Sequence, residues 1–139
     1  MDFESDWKLI RPGFVKLYKG QRLNSGLSMG ASDRSKVLVE VYFKFPHPGS
    51  LLQWVQPLKP RLDLLNKSPS GFEWGYTGSG PAQLAFALLL DFLGESEIAR
   101  VLSLYQEFKR LVVVQFDDSW ALTEDLIQET IDKIEQKTA

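Results

Sequence analysis

The residues most able to do chemistry in this 139-residue chain lie in one run, Gly71-Phe72-Glu73-Trp74-Gly75-Tyr76-Thr77-Gly78-Ser79-Gly80-Pro81. A glycine-rich turn that opens a helix can aim several backbone N–H groups at one point, where the helix dipole also favours an anion. That chemistry assigns Gly78, Ser79 and Gly80 to a phosphate or carboxylate niche. The named nucleotide motifs do not fit it. Gly75 and Gly80 have the spacing of a phosphate-binding loop, but Pro81-Ala82 stand where Lys-Ser/Thr is required. Gly78-Ser79-Gly80 starts a dinucleotide fingerprint, yet Gln83 occupies the place of its third glycine. The competing reading is an ordinary tight turn whose glycines supply positive φ and avoid clashes.

Phe72, Trp74 and Tyr76 alternate with other residues, which predicts a strand with three rings on one face. Exposed, and with Lys67 and Arg61 beside them, Trp74 and Tyr76 would stack on bases; buried, the same rings would fill a core. Trp74, Tyr76, Gly78, Ser79, Gly80, Lys67 and Arg61 are therefore the candidate ligand-binding residues. No catalytic set accompanies them. The lone histidine, His47, sits between two prolines, and the serines lack the Gly-x-Ser-x-Gly context of a nucleophile elbow. Asp117-Asp118 reads as a solvated turn. Glu73 among aromatics and Asp91 inside an apolar helix read as hydrogen-bonded structural acids. The sequence points to no metal and no cofactor, and it favours a non-enzymatic role over the remaining alternative of an enzyme using Glu73 with Ser79 or His47.

The elements that must position these residues are legible in the hydrophobic pattern. Phe14 to Tyr18 alternates as a strand, turned by Lys19-Gly20 toward Gln21-Arg22-Leu23 as a short hairpin. Residues 24–36 read as a flexible loop, and Val37 to Phe45 is the strongest strand signal. Leu58 to Leu65 predicts a further strand. Residues 81–93 predict a helix apolar on almost every side, hence central and buried, with Pro81 opening it and Gly94 closing it. Residues 95–109 predict a second, amphipathic helix. Leu111 to Phe116 predicts an interior strand, and a last helix starts at Thr123. The expected architecture is α+β: an antiparallel-leaning sheet of four or five strands with about three helices mainly on one side, in a single domain over 1–139.

Sixteen Lys+Arg face eighteen Asp+Glu, with one His and no Cys, which excludes disulfide scaffolds and thiolate chemistry. The charge is segregated. Residues 1–70 carry eleven Lys/Arg against six Asp/Glu, whereas residues 71–139 carry five against twelve. Two halves folding against each other, or a basic surface meeting an acidic partner or nucleic acid, both account for this. The longest apolar run, Leu84 to Leu90, is too short to cross a bilayer, and the acidic start Met1-Asp2-Phe3-Glu4 is unlike a signal peptide. A cytoplasmic setting without membrane contact is expected.

The stretch from Ser68 through Gly71-Phe72-Glu73-Trp74-Gly75-Tyr76, Gly78-Ser79-Gly80-Pro81 and Gln83-Leu84-Ala85 resembles the prokaryotic domain-of-unknown-function family 6166. The similarity continues through Tyr105 to Lys109 and Trp120 to Thr123, so it covers about residues 58–135, with Tyr18-Lys19-Gly20 matching an opening strand. The chain departs from the pattern at Thr77, where the family has glycine, and residues 24–57 look like an elaboration. The resemblance implies a small cytoplasmic protein of bacteria, archaea, plasmids or phages, with no assigned activity. Together these readings lead to a non-enzymatic binding or regulatory protein that acts through protein contacts or as a homo-oligomer, associated with mobile genetic elements. The alternative is a nucleic-acid or nucleotide binder using the Gly78–Gly80 turn and the basic N-terminal half.

Overall fold

The computed structural model describes residues 15–23, 36–45, 49 and 51–138. Four strands form one antiparallel sheet: β1 (Val15–Arg22), β2 (Val37–Lys44), β3 (Gln53–Pro57) and β4 (Ser119–Thr123), in spatial order β3-β2-β1-β4. Among the described residues three helices complete an α+β fold: α1 (Ser79–Leu93), α2 (Ile98–Leu111) and α3 (Glu124–Thr138). Two short 3₁₀ turns, Glu95–Glu97 and Val113–Gln115, flank α2.

Alternation decides which face of the sheet is dry. Lys16, Tyr18 and Gly20 on β1, Val39, Val41 and Phe43 on β2, and Trp120 and Leu122 on β4 are all buried. Their neighbours one residue on turn to the opposite side, as the period of two requires. Against the dry face lies α1, buried without a break from Gly80 to Leu90. A helix this apolar is stable only with neighbours on every side, and α2 and α3 pack alongside it through Val101, Leu104, Phe108, Ile127 and Ile131, all within the core.

The one acid in this helix is matched from the sheet. Asp91 Oδ2 accepts a 2.6 Å hydrogen bond from the Tyr18 hydroxyl and lies 3.0 Å from Lys16 Nζ. The Lys16 ammonium also sits 5.4 Å from the centre of the Phe43 ring. Removing one member of such a buried pair leaves an uncompensated charge, so β1 and α1 are held in a single relative register.

Several expected elements differ. Lys19-Gly20 is not a hairpin turn: β1 runs straight through it, with Gly20 facing Val39 on one side and Trp120 on the other. Glycine is required there by packing, since a Cβ on Gly20 would lie 2.3 Å from Trp120 Cε2. Residues 58–65 form turns rather than a strand, and the strand of this region is Gln53–Pro57, whose Trp54 stacks on Phe43 at 5.0 Å. Leu111 to Phe116 is not a strand either. It ends α2 and turns through Val113–Gln115, where the apolar run is satisfied by side-chain packing, with Val113 wholly buried. The edge strand is Ser119–Thr123 instead. The expected strand over residues 72–76 is irregular backbone. Phe14, the expected loop at 24–36 (except Lys36) and His47 lie outside the described residues, and within 24–57 residues 37–44 and 53–57 belong to the sheet as β2 and β3.

Candidate functional site

The glycine-rich stretch is assembled around two side chains, Arg22 from β1 and Gln83 from α1. Arg22 reaches across from the sheet. Its Nη1 lies 2.6 Å from Glu73 Oε1, its Nη2 donates to the Trp74 carbonyl at 3.0 Å, and its Nε lies 3.1 Å from Asp118 Oδ1. The guanidinium sits 4.9 Å from the centre of the Trp74 ring. Glu73 Oε1 also accepts the Trp74 N–H at 3.1 Å. The Trp74 side chain is fully buried, donates from Nε1 to the Asp117 carbonyl at 2.7 Å, and meets Trp120 edge-on at 5.7 Å. Gly75 takes φ +83°, a conformation open to glycine, and donates its N–H to the Val113 carbonyl.

Gln83 is wholly buried and uses its full hydrogen-bonding capacity on backbone. Its Oε1 accepts the N–H groups of Lys67 and Ser68 at 2.8 and 3.2 Å. Its Nε2 donates to the carbonyls of Pro60 and Leu65 at 2.7 and 2.8 Å. Two donors and two acceptors are all that a carboxamide has. The irregular segment that replaces the expected strand at 58–65 therefore takes its order from one side chain on the central helix. Sequence reasoning missed Gln83 in this role. The available signal was a polar residue in a run otherwise apolar from Pro81 to Leu90.

Against this frame the candidate ligand residues separate. Tyr76 is 49 % exposed and its ring lies across the glycine turn: a Cβ on Gly78 would lie 2.9 Å from Tyr76 Cε2, and one on Gly80 would lie 3.3 Å from the Tyr76 hydroxyl. Tyr76, Gly78 and Gly80 are thus brought together, with Glu73 beside them. Ser79 is exposed as the first residue of α1, and Gly78 caps the helix in extended conformation with no side-chain cap. Pro81 is the third helical residue rather than the first, a place where its missing N–H still costs no intrahelical bond. Trp74 belongs to the core and offers no face for stacking. Lys67 is exposed, contributing its backbone N–H to Gln83.

Arg61 lies elsewhere. Its guanidinium bridges Asp63 and Glu95, both at 3.1 Å, and Glu95 follows the C-terminal end of α1. The glycine turn is at the other end of this 15-residue helix, about 22 Å from the Glu95 end along the axis. The hydrogen bond from Asp63, opposed in part by desolvation and aided by Glu95, holds the Arg61 guanidinium above its ordinary range. The same hydrogen bond holds the Asp63 carboxyl below the usual carboxylate range. Arg61 is also the one non-glycine at positive φ (56°) among the described residues.

Gly80 itself is not at positive φ. Its constraint is contact, since a Cβ there would lie 2.7 Å from Glu73 Cβ. Gly80→Val is expected to cost about 1–3 kcal/mol by overpacking, read as a lowered midpoint in urea unfolding, with the fluorescence of Tyr76 and Trp74 changed in the folded baseline. A midpoint equal to the parent's would mean that Glu73 yields freely.

On the far side of the sheet no helix packs among the described residues, and the cross-strand rows there can be read from the register. Val55, Tyr42, Leu17 and Thr123 form one row, and Pro57, Glu40, Lys19 and Ala121 the next. Lys19 Nζ lies 4.8 Å from the centre of the Tyr42 ring, and the Tyr42 hydroxyl donates to Glu40 at 3.4 Å. A shallow depression of about 110 Å³ opens between Lys19, Gln21, Leu38, Glu40, Tyr42 and Ser119. Among the described residues no group of three or more His, Asp or Glu could hold a metal ion, and no helix is long and apolar enough to cross a membrane.

A family model described as "Family of unknown function (DUF6166)" matches residues 49–133, more than half of the chain. The match takes in β3, all of α1 and α2, β4 and most of α3, but neither β1 nor β2. No curated protein and no solved structure matches the chain.

Proposed function

We propose, for a chain that belongs to this family of unknown function, that it is a small non-enzymatic binding protein whose recognition surface is the face of its sheet that no described helix covers. The observation that carries this reading is the pairing of an apolar row, Val55–Tyr42–Leu17, with a charged row, Glu40–Lys19, on a face that no described helix covers. An apolar centre bordered by charge is the composition of a protein-contact surface. The signature residues support the same reading. Glu73, Trp74, Gly75, Gly80 and Gln83 are taken up by contacts that hold the fold together, and Tyr76, Thr77 and Ser79 stand exposed at the turn. A cytoplasmic setting, and an association with mobile genetic elements, come with this proposal from the family resemblance alone.

The test is site-specific photocrosslinking in cells producing the full chain. A benzoylphenylalanine at Tyr42 is expected to give a discrete, protease-sensitive adduct, whereas the same group at Leu102, exposed on α2, gives none. Val55→Glu should abolish the adduct with little change in melting temperature, because Val55 is on the exposed face. An adduct that nuclease rather than protease removes would replace this reading by nucleic-acid binding. Equal labelling at positions 42 and 102 would overturn it.

A further inference from the structure

The two edges of the sheet are not equivalent. An antiparallel ladder alternates residues that bond to the neighbouring strand with residues whose N–H and C=O point away from it. At β4 the phase is fixed by the Arg22 N–H donating to the Asp118 carbonyl at 3.0 Å, in register with the Gly20–Trp120 and Tyr18–Leu122 pairs. Ser119 and Ala121 therefore turn both backbone groups outward, and Thr123, which caps α3, turns its N–H outward; all three residues are exposed. At β3 the Leu58 N–H donates to the Val39 carbonyl and the Phe45 N–H to the Leu52 carbonyl, so Gln53, Val55 and Pro57 face outward there. Pro57 has no N–H to offer, which is a usual way to blunt an edge. The β4 edge carries no proline.

Charge selects what can pair with it. Asp117 and Asp118 stand at one end of β4, and Glu124 and Asp125 at the other. Asp117 and Asp125 are exposed, and Asp118, although paired with Arg22, keeps 89 % of its side-chain surface. A second copy of this chain pairing antiparallel about Ala121 would set Asp117 against Asp125 at both ends, like charge on like charge. A nucleic acid would meet the same repulsion.

We propose that the β4 edge accepts an extended, basic polypeptide segment as a fifth strand, its main chain bonding to Ser119, Ala121 and Thr123 and its flanking Lys or Arg residues meeting Asp117, Asp118 and Asp125, while Glu124 is turned inward and accepts the Lys16 N–H at 2.8 Å. This is strand addition, in which main-chain bonds supply affinity and the flanks supply selectivity. The inference rests on the reading that the protein works by contacts, and it names a chemistry and a place that reading leaves open.

Amide exchange by NMR on the full chain tests it, with two labelled peptides as probes, Lys-Lys-Thr-Val-Thr-Val-Lys-Lys and the same sequence flanked by Glu. In the free chain the amides of Ser119, Ala121 and Thr123 are expected to exchange freely while those of Trp120 and Leu122 are protected. The Lys-flanked peptide should slow the three outward amides at least about tenfold and bind at least about tenfold more tightly than its Glu-flanked counterpart, with the difference shrinking in high salt. Ala121→Pro removes one outward N–H and no ladder bond, so it should weaken the Lys-flanked peptide at least about tenfold. If that variant fails to fold, the charge reversal Asp117→Lys with Asp125→Lys should invert the peptide preference. Protection of the three amides in the free chain, equal binding of the two peptides, or no response at about 1 mM peptide overturns the proposal. Loss of the Tyr42 adduct with this edge response intact would sink the earlier reading alone, and the reverse outcome would sink this one alone.

Discussion

A chain cut to residues 49–139 is expected not to fold, although it contains the whole stretch matched by the family model. The strands it retains, β3 and β4, are the two edges of the sheet, and the strands it loses, β1 and β2, lie between them. At the usual strand spacing the retained pair would be separated by about 14 Å with nothing to bond to. The dry face would lose Tyr18, Val39, Val41 and Phe43, all at most 5 % exposed, and α1 would present Leu84 and Leu88, on the same helix face as Asp91, toward water. Asp91 would lose Lys16 and Tyr18, and the Glu73–Trp74 segment would lose Arg22. Each loss alone is a few kcal/mol, and the total exceeds the 5–15 kcal/mol by which domains are commonly stable. Circular dichroism of the truncated chain should show weak helix with no cooperative melt, against a sigmoidal melt for the parent. A cooperative transition in the truncated chain would mean that β3 and β4 can pair directly. The same reasoning says that any relative with this architecture needs two strands from outside the matched stretch.

The second large effect is expected at Gln83. Gln83→Leu keeps the volume and the apolar surroundings, but leaves the N–H groups of Lys67 and Ser68 and the carbonyls of Pro60 and Leu65 without their partner. An unsatisfied buried backbone group costs about 1–3 kcal/mol. Lys67 is exposed, so water can restore part of what is lost there, and a net loss of about 3–5 kcal/mol follows. That corresponds to a fall in melting temperature of roughly 10–20 °C. Gln83→Glu should be no milder, because a buried carboxylate would face the carbonyls of Pro60 and Leu65 with no donor between them, and only the protonated carboxyl at low pH can restore one of those two bonds. Faster exchange of the Lys67 and Ser68 amides in Gln83→Leu would locate the damage. A melting temperature within about 2 °C of the parent would show that this loop orders itself without the carboxamide.

These two predictions mark where the sequence is informative and where it is silent. The buried central helix was legible because a stretch with no polar face has one stable location, in the middle. Gly94 as its stop was legible too, from the backbone conformation that glycine alone adopts readily; φ there is +95°. The strand at Val37 was legible from β-branched and aromatic content, and Thr123 caps the last helix, its Oγ1 accepting the Leu126 N–H at 3.2 Å. Short edge strands were not legible. Gln53–Pro57 and Ser119–Thr123 are five residues each, half exposed, and become strands because β2 and β1 offer them a ladder. Conversely, Leu111 to Phe116 has the composition of a strand and lacks the neighbour that would make it one.

The signature stretch shows the same division. Its glycines allow either a ligand niche or a tight turn that avoids clashes, and the structure sets the chain's own side chains against them: Tyr76 over Gly78 and Gly80, Glu73 against Gly80, Arg22 beside Gly75. Composition and periodicity by themselves determined the α+β class, the buried helix and the absence of thiol chemistry, because each follows from forces acting within about ten consecutive residues. Which strands are edges, which of Phe72, Trp74 and Tyr76 meets water, and what Gln83 holds were decided only by tertiary structure. Those outcomes depend on partners such as Arg22, Pro60 and Asp117, tens of residues away in sequence, whose arrival no local pattern encodes.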